Sequence, residues 1–142
     1  MTTKITVAWQ GDRGFIATNE SGDQVGIKAP NPTGQGMSPG QLLLAALGGC
    51  MGITTIGVLE KKRQQVTAME IDIIGEQMAE WPKSYTNIHM IYKITGTDIN
   101  QKAAERAVEL AETRYCTVSA SLAPPITSEI VIVQEEEPVP AI

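Results

Sequence analysis

Residues 38–65 read SPGQLLLAALGGCMGITTIGVLEKKRQQ, and this stretch decides the fold. Ser38 suits an N-cap, Pro39 the first helical position, and Gln41 the place where a capping box wants Glu or Gln. The helix opened there is expected to run to about Gln65. Leu42, Leu43, Leu44, Leu47, Met51, Ile53, Ile56, Val58 and Leu59 cover most of its circumference, the mark of a helix packed on several sides. From Leu42 to Leu59 no residue is charged, a run approaching the ~20 residues of a membrane span. Gly48, Gly49, Gly52, Gly57, Thr54 and Thr55 dilute it, and strand patterns flank it, so it reads as a buried central helix and no membrane partner is expected. Each helical glycine costs ~1 kcal/mol against Ala, which points to close approach of another backbone at Gly48–Gly52, around Cys50.

Working outward, residues 3–9 read as a strand, Gly11 and Asp12 as a turn, and Phe15–Thr18 with Gln24–Lys28 as a hairpin through Asn19–Asp23. Pro30–Met37 is a Gly/Pro/Asn loop. On the other side, Thr67–Gln77 and Tyr85–Thr95 alternate, with Met69, Ile71, Ile73, Ile88, Met90, Tyr92 and Ile94 on core-facing positions. The turn Trp81–Ser84 joins them into a long antiparallel hairpin. Asp98 is the expected N-cap of a second helix, with an apolar stripe from Ala103 to Ala111 and fraying near Arg114–Tyr115. Cys116–Leu122 opens a short third helix before Pro124 and Pro125, and Thr127–Gln134 is a last strand. This order argues α+β. One domain is expected over 1–134, followed by an acidic, Pro-containing tail at 135–142 that is expected to be disordered.

The 142-residue chain carries a net charge of -5 and has no basic stripe with interleaved aromatics, which argues against nucleic acid as a partner. The cluster Lys61-Lys62-Arg63 reads as a solvated helix end that complements the dipole. The start, MTTKITVAW, lacks signal-peptide architecture, so a cytoplasmic setting and reduced thiols are expected. Cys50 and Cys116 are the only cysteines, and their spacing of 66 matches no zinc motif. With a single His89, no metal site and no Ser-His-Asp set is expected. Gly34-Gln35-Gly36 lacks the setting of a phosphate loop.

Chemistry therefore centres on the two thiols, and the residues leave two readings open. Both are packed core cysteines, a common fate of free Cys. Or they react, in which case Cys50 needs a cation or hydrogen-bond donors nearby, because burial alone raises a thiol pKa. A helix beginning at Cys116 would favour its thiolate through free amides and the dipole.

A resemblance bears on that choice. Ser38-Pro39-Gly40-Gln41-Leu42-Leu43-Leu44-Ala45-Ala46-Leu47-Gly48-Gly49-Cys50 resembles the first-cysteine helix of the OsmC/Ohr family of osmotically inducible and organic-hydroperoxide-resistance proteins. Arg114-Tyr115-Cys116-Thr117-Val118-Ser119-Ala120-Ser121-Leu122 resembles its second-cysteine motif. Leu59–Gln64 and Ile94–Asp98 are most similar to the YhfA-type branch, and the likeness covers Trp9 to Ile132. It implies antiparallel sheets wrapped around a long central helix, in an intertwined homodimer with sites at the subunit interface. It implies that Cys50 attacks a small organic hydroperoxide and becomes a sulfenic acid, and that Cys116 resolves it to a disulfide. No bound cofactor is implied; an external lipoyl or thioredoxin-like dithiol restores the pair. Peroxidase members carry a Glu directly after the helix-opening Pro, where this chain has Gly40, and that Glu orients an arginine for which Arg13 is the candidate. The departure at Gly40 keeps a second expectation alive: a binding or redox-sensing module of the same fold, for persulfides or an apolar ligand.

Overall fold

The capping box at Ser38 forms as the sequence predicts. The Ser38 N–H donates to Gln41 Oε1 at 3.0 Å, and the Gln41 N–H donates to Ser38 Oγ at 3.2 Å. In the computed structural model the helix that follows, α1, spans Pro39–Lys61. The structure describes residues 1–12, 14–29 and 36–136; Arg13, most of the Pro30–Met37 loop and the tail from residue 137 lie outside the described residues. The helix stops four residues short of the expected Gln65 because Arg63 takes a left-handed backbone (φ 57). There the Gln64 N–H reaches the Leu59 carbonyl at 3.0 Å and the Arg63 N–H the Glu60 carbonyl at 2.9 Å. This is the Schellman closure, made here without the glycine that normally announces it.

The chain divides into two units, Met1–Leu43 and Leu44–Ile142. In the first, β1 (Thr6–Gly11), β2 (Gly14–Thr18) and β3 (Gln24–Lys28) form an antiparallel meander in that order. The Asn19 side chain builds the β2–β3 turn by accepting the N–H groups of Ser21 and Asp23. Register puts Val7, Trp9, Phe15, Val25 and Ile27 on one face, and the first four of these stand exposed.

In the second unit, β4 (Gln65–Gln77) and β5 (Tyr85–Thr97) make the expected antiparallel hairpin. The last strand, β6 (Ile126–Gln134), pairs parallel with β5, so this sheet is mixed rather than wholly antiparallel as expected. The reason is the long helical crossover from β5 to β6, which allows parallel pairing. That crossover holds α2 (Gln101–Leu110), a π-helical turn (Ala111–Tyr115) and α3 (Thr117–Ala120). Asn100, not Asp98, caps α2: its Oδ1 accepts the Ala103 N–H at 3.0 Å. Asp98 is instead held left-handed (φ 54), which lets Ile99 turn into the core. The first tail residue continues the sheet, with the Glu135 N–H on the Gly96 carbonyl at 2.7 Å.

The core forms where Leu47, Met51 and Leu59 of α1 and Ala104, Ala107 and Val108 of α2 meet Ile88, Met90, Tyr92 and Ile94 of β5. Leu47, Met51, Thr55 and Leu59 are one stripe at four-residue spacing. The other side of α1 is not buried within the chain: Ala46 and Gly49 are exposed, and Ile53 is 79% exposed. Packing on several sides is therefore not achieved inside one copy. By length and composition α1 would suit a membrane span, yet its buried stripe lies on the sheet. The glycines divide by face. A Cβ on Gly48 would stand 2.5 Å from Ile73 Cδ1 and one on Gly52 3.3 Å from Ile71 Cδ1, so these positions admit β4 side chains rather than another backbone. Gly49 meets nothing within 4 Å.

Candidate active site: the cysteine pair

Cys50 stands three turns into α1, half-buried and against the core. Cys116 arrives by a different device. The last turn of α2 widens into the π-turn, in which the Cys116 N–H reaches back five residues to the Ala111 carbonyl at 3.0 Å. Such one-residue expansions often mark functional positions. Cys116 then leaves helical geometry (φ -86, ψ 106) and serves as the N-cap of α3, its Sγ accepting the Ser119 N–H at 3.2 Å. It is only 3% exposed.

Both thiols are free, and Cys50 lies near enough to Cys116 to act on its charge. Burial alone would push the Cys116 thiol up. The Cys50 thiol, the Ser119 hydroxyl and the Ser119 and Val118 N–H groups act against burial and bring it below the ordinary thiol value. Under the pair lies Tyr92, fully buried, its hydroxyl on Met90 Sδ at 3.8 Å and close to Ser128, Glu112 and Cys116. Ser128 also donates to Glu112 Oε1. Burial first, and then the Glu112 carboxylate, hold the Tyr92 phenol protonated well beyond its usual range.

Beside this cluster a groove of about 490 Å³ runs along α1, lined by Thr54, Val58, Leu110 and Tyr115 and bounded by Lys61 and Lys62. Thr54 and Val58 follow Cys50 by one and two turns on the same helix face. Lys61 is the last residue of α1, in keeping with a cationic helix end.

The second-cysteine segment and the capped first-cysteine helix thus converge on one dithiol, and the match to a family model covers both. Residues 32–131 match the model for OsmC-like protein. The chain belongs to the OsmC-like family. This OsmC-like chain is 33% identical to Protein YhfA of Escherichia coli (strain K12) over 116 residues, 82% of this chain and 86% of that protein. It superimposes on a hypothetical protein from Aquifex aeolicus VF5 with a TM-score of 0.85 and 25% identity, covering 96% and 99% of the two chains. It shares its fold with the organic hydroperoxide resistance protein OhrB of Bacillus subtilis (TM-score 0.60, 20% identity, 94% and 98% covered). The mixed α+β architecture and the placement in the YhfA-like branch of the OsmC/Ohr family agree with the sequence reading.

Of the site residues read from sequence, Cys50 and Cys116 come together, while Arg13 lies outside the described residues. His89 belongs to another face of the sheet, bonded to Thr127 at 2.6 Å and Glu129 at 3.4 Å across the β5–β6 pair. Among the described residues no three His, Cys, Asp or Glu side chains gather as a metal site. Sequence reasoning missed Ser119, Tyr92, Ser128 and Glu112. The i, i+3 spacing of Cys116 and Ser119 was a usable signal, because it is the spacing of an N-cap and its donor.

Proposed function

We propose that this OsmC-like protein is a cytoplasmic thiol-dependent peroxidase that reduces small organic hydroperoxides. One observation carries the reading: cysteines from two separate motifs are brought close to each other beside an apolar groove. Cys50, the more accessible sulfur, attacks the peroxide O–O bond and takes up the distal oxygen as a sulfenic acid, and the alcohol departs. Cys116 then attacks the Cys50 sulfur, the hydroxyl leaves as water, and a disulfide forms. An external dithiol of the lipoyl or thioredoxin class returns both thiols. The groove takes the organic part of the peroxide. The fold shared with OhrB, a protein named for organic hydroperoxide resistance, supports the reading.

The working form in this proposal is a homodimer. The uncovered face of α1 at Ala46, Gly49 and Ile53, and the exposed face of the β1–β3 sheet at Val7, Trp9, Phe15 and Val25, are apolar surfaces that a second copy would bury. Both β4 and β6 are also edge strands among the described residues.

Gly40 favours a second reading. Without a carboxylate at that position an activating arginine is less fixed, which suits a redox-sensing or ligand-binding module for a persulfide or an apolar molecule. Mixing the reduced protein with one equivalent of cumene hydroperoxide separates the two. The peroxidase reading expects both thiols to be lost within seconds, a Cys50–Cys116 disulfide by mass spectrometry, and no peroxide consumption by Cys50→Ser. Thiols intact after minutes, or a fully active Cys50→Ser, would remove the peroxidase and leave the binding module.

A further inference from the structure

We propose that the groove along the C-terminal half of α1 is a binding site for a long, unbranched monocarboxylate, its carboxylate held by Lys61 and Lys62 and its chain running back toward Cys50. This goes beyond the peroxidase reading, because the ligand need carry no peroxide and its binding is measured without turnover.

The groove is built on one stripe of the helix. Thr54, Gly57, Val58 and Lys61 follow Cys50 at i+4, i+7, i+8 and i+11, the spacing of a single helical face. Leu110 at the end of α2 and Tyr115 in the π-turn supply the facing wall. Tyr115 directly precedes Cys116, so this wall reaches the segment of the second cysteine. The volume of about 490 Å³ is that of a small-molecule site. Ile53, the neighbour of Thr54, points about 100° away around the helix, so the groove and the uncovered face at Ile53 are different stripes.

Gly57 points to an occupant. Glycine is a poor residue for a helix interior, and at Gly48 and Gly52 packing accounts for it, because β4 side chains fill the space of a Cβ. At Gly57 no atom lies within 4 Å of where a Cβ would stand. No neighbour in the described chain requires this glycine. The groove does, since its floor stays open only while no side chain rises from that position.

The two ends of the groove differ in chemistry. Thr54, Val58 and Leu110 are half-buried and largely aliphatic, whereas Lys61 and Lys62 are exposed. Among the described residues the ion pairs are His89–Glu129 and Arg106–Glu109, so neither lysine is neutralised by a carboxylate. An apolar trough that ends in two ammonium groups complements an amphiphile with one negative end. On a chain of net charge -5 this rim is a local attraction for an anion. The length of the ligand follows from the helix. Eleven residues separate Cys50 from Lys61, about 16 Å at 1.5 Å per residue. Lysine side chains lean toward the helix N-terminus and shorten that span, so an extended chain of about 10 to 12 carbons fills it.

Isothermal titration calorimetry of the full chain with decanoate, hexanoate and decanol tests the site. Decanoate should bind at one per protomer. Hexanoate should bind at least tenfold more weakly, because each covered methylene tightens binding roughly two- to fourfold. Decanol, of the same length without the charge, should also bind at least tenfold more weakly. In the double variant Lys61→Gln, Lys62→Gln the preference for decanoate over decanol should disappear. Gly57→Leu raises a side chain from the groove floor with no atom to displace, and should abolish decanoate binding with a Tm equal to or above the parent's. Saturating decanoate should slow alkylation of Cys50 by iodoacetamide at least threefold, and saturating hexanoate should leave it unchanged. Absence of decanoate binding, equal affinity for decanol, or parental binding by Gly57→Leu would overturn the proposal. So would a Gly57→Leu protein that sediments as a smaller species than the parent, which would assign the groove to a second copy of the chain. Cumene hydroperoxide, which carries no charge, separates this site from the peroxidase reading. A parent that reduces it but binds no decanoate keeps the peroxidase and loses the site. A parent inert to it that binds decanoate with these dependences keeps the site and loses the peroxidase.

Discussion

Tyr92 is the largest fully buried side chain among the described residues, and its hydroxyl lies close to Ser128, Glu112 and Cys116. Its phenol is held neutral by burial and by Glu112, so its folded-state pKa lies above the value of ~10 that it has when unfolded. Above about pH 10 the unfolded chain gives up this proton while the native state keeps it. The native state then binds more protons, and stability falls as pH rises. Tyr92→Phe removes the linkage. Denaturant titrations from about pH 9 to pH 11 should show the parent losing stability more steeply than the variant. Parallel slopes would mean that another group controls the alkaline limb.

Two glycines make opposite demands on the elements that hold them. In β5, a Cβ at Gly96 would stand 2.1 Å from the Gln65 carbonyl oxygen and 2.7 Å from Ile99 Cδ1. The first contact is backbone, so strand β4 would have to move, and Gly96→Ala should cost about 3 kcal/mol. In α1, a Cβ at Gly48 meets the Ile73 side chain, Cδ1 at 2.5 Å and Cγ1 at 3.2 Å, which can shift by turning about χ2. Relief of the helical glycine penalty of ~1 kcal/mol offsets that shift, and Gly48→Ala should be close to neutral by thermal or urea unfolding. Equal losses at the two positions would refute this division. At this scale the sequence was most readable where a motif is local. The capping box at Ser38–Gln41, the Asn19 turn and the alternation of β4 and β5 all depend on neighbours a few residues apart. The end of α1 was not readable, because Arg63 performs a turn that the chain usually gives to glycine. The start of α2 was ambiguous between Asp98 and Asn100, which are equally good caps; burial of Ile99 between them decides it.

Across the whole molecule, the two sulfurs were readable because each sits in a distinctive segment, and resemblance to a family paired them. The polar cluster below them was not. Tyr92, Glu112 and Ser128 come from β5, the π-turn and β6, and only the parallel β5–β6 register and the extra residue in the π-turn bring them together. Neither follows from local periodicity. The burial pattern of α1 was half readable. Its composition asks for packing on all sides, while one copy covers a single stripe and leaves Ile53 79% exposed.

In the proposed homodimer, that uncovered side of α1 ties folding to mass action. If a second copy covers it, dissociation and unfolding are one event, and the melting temperature becomes a function of protein concentration. Calorimetry across a hundredfold dilution should show the Tm of the parent falling as the protein is diluted. Ile53→Asp places a charge on that face and should give a monomer by sedimentation, with a lower Tm that no longer moves with concentration. A parental Tm indifferent to dilution would argue that each copy is stable with its apolar helix face in water. Where mass action holds, the cellular abundance of this chain sets how much of it is folded, and dilution alone is a way to switch it off.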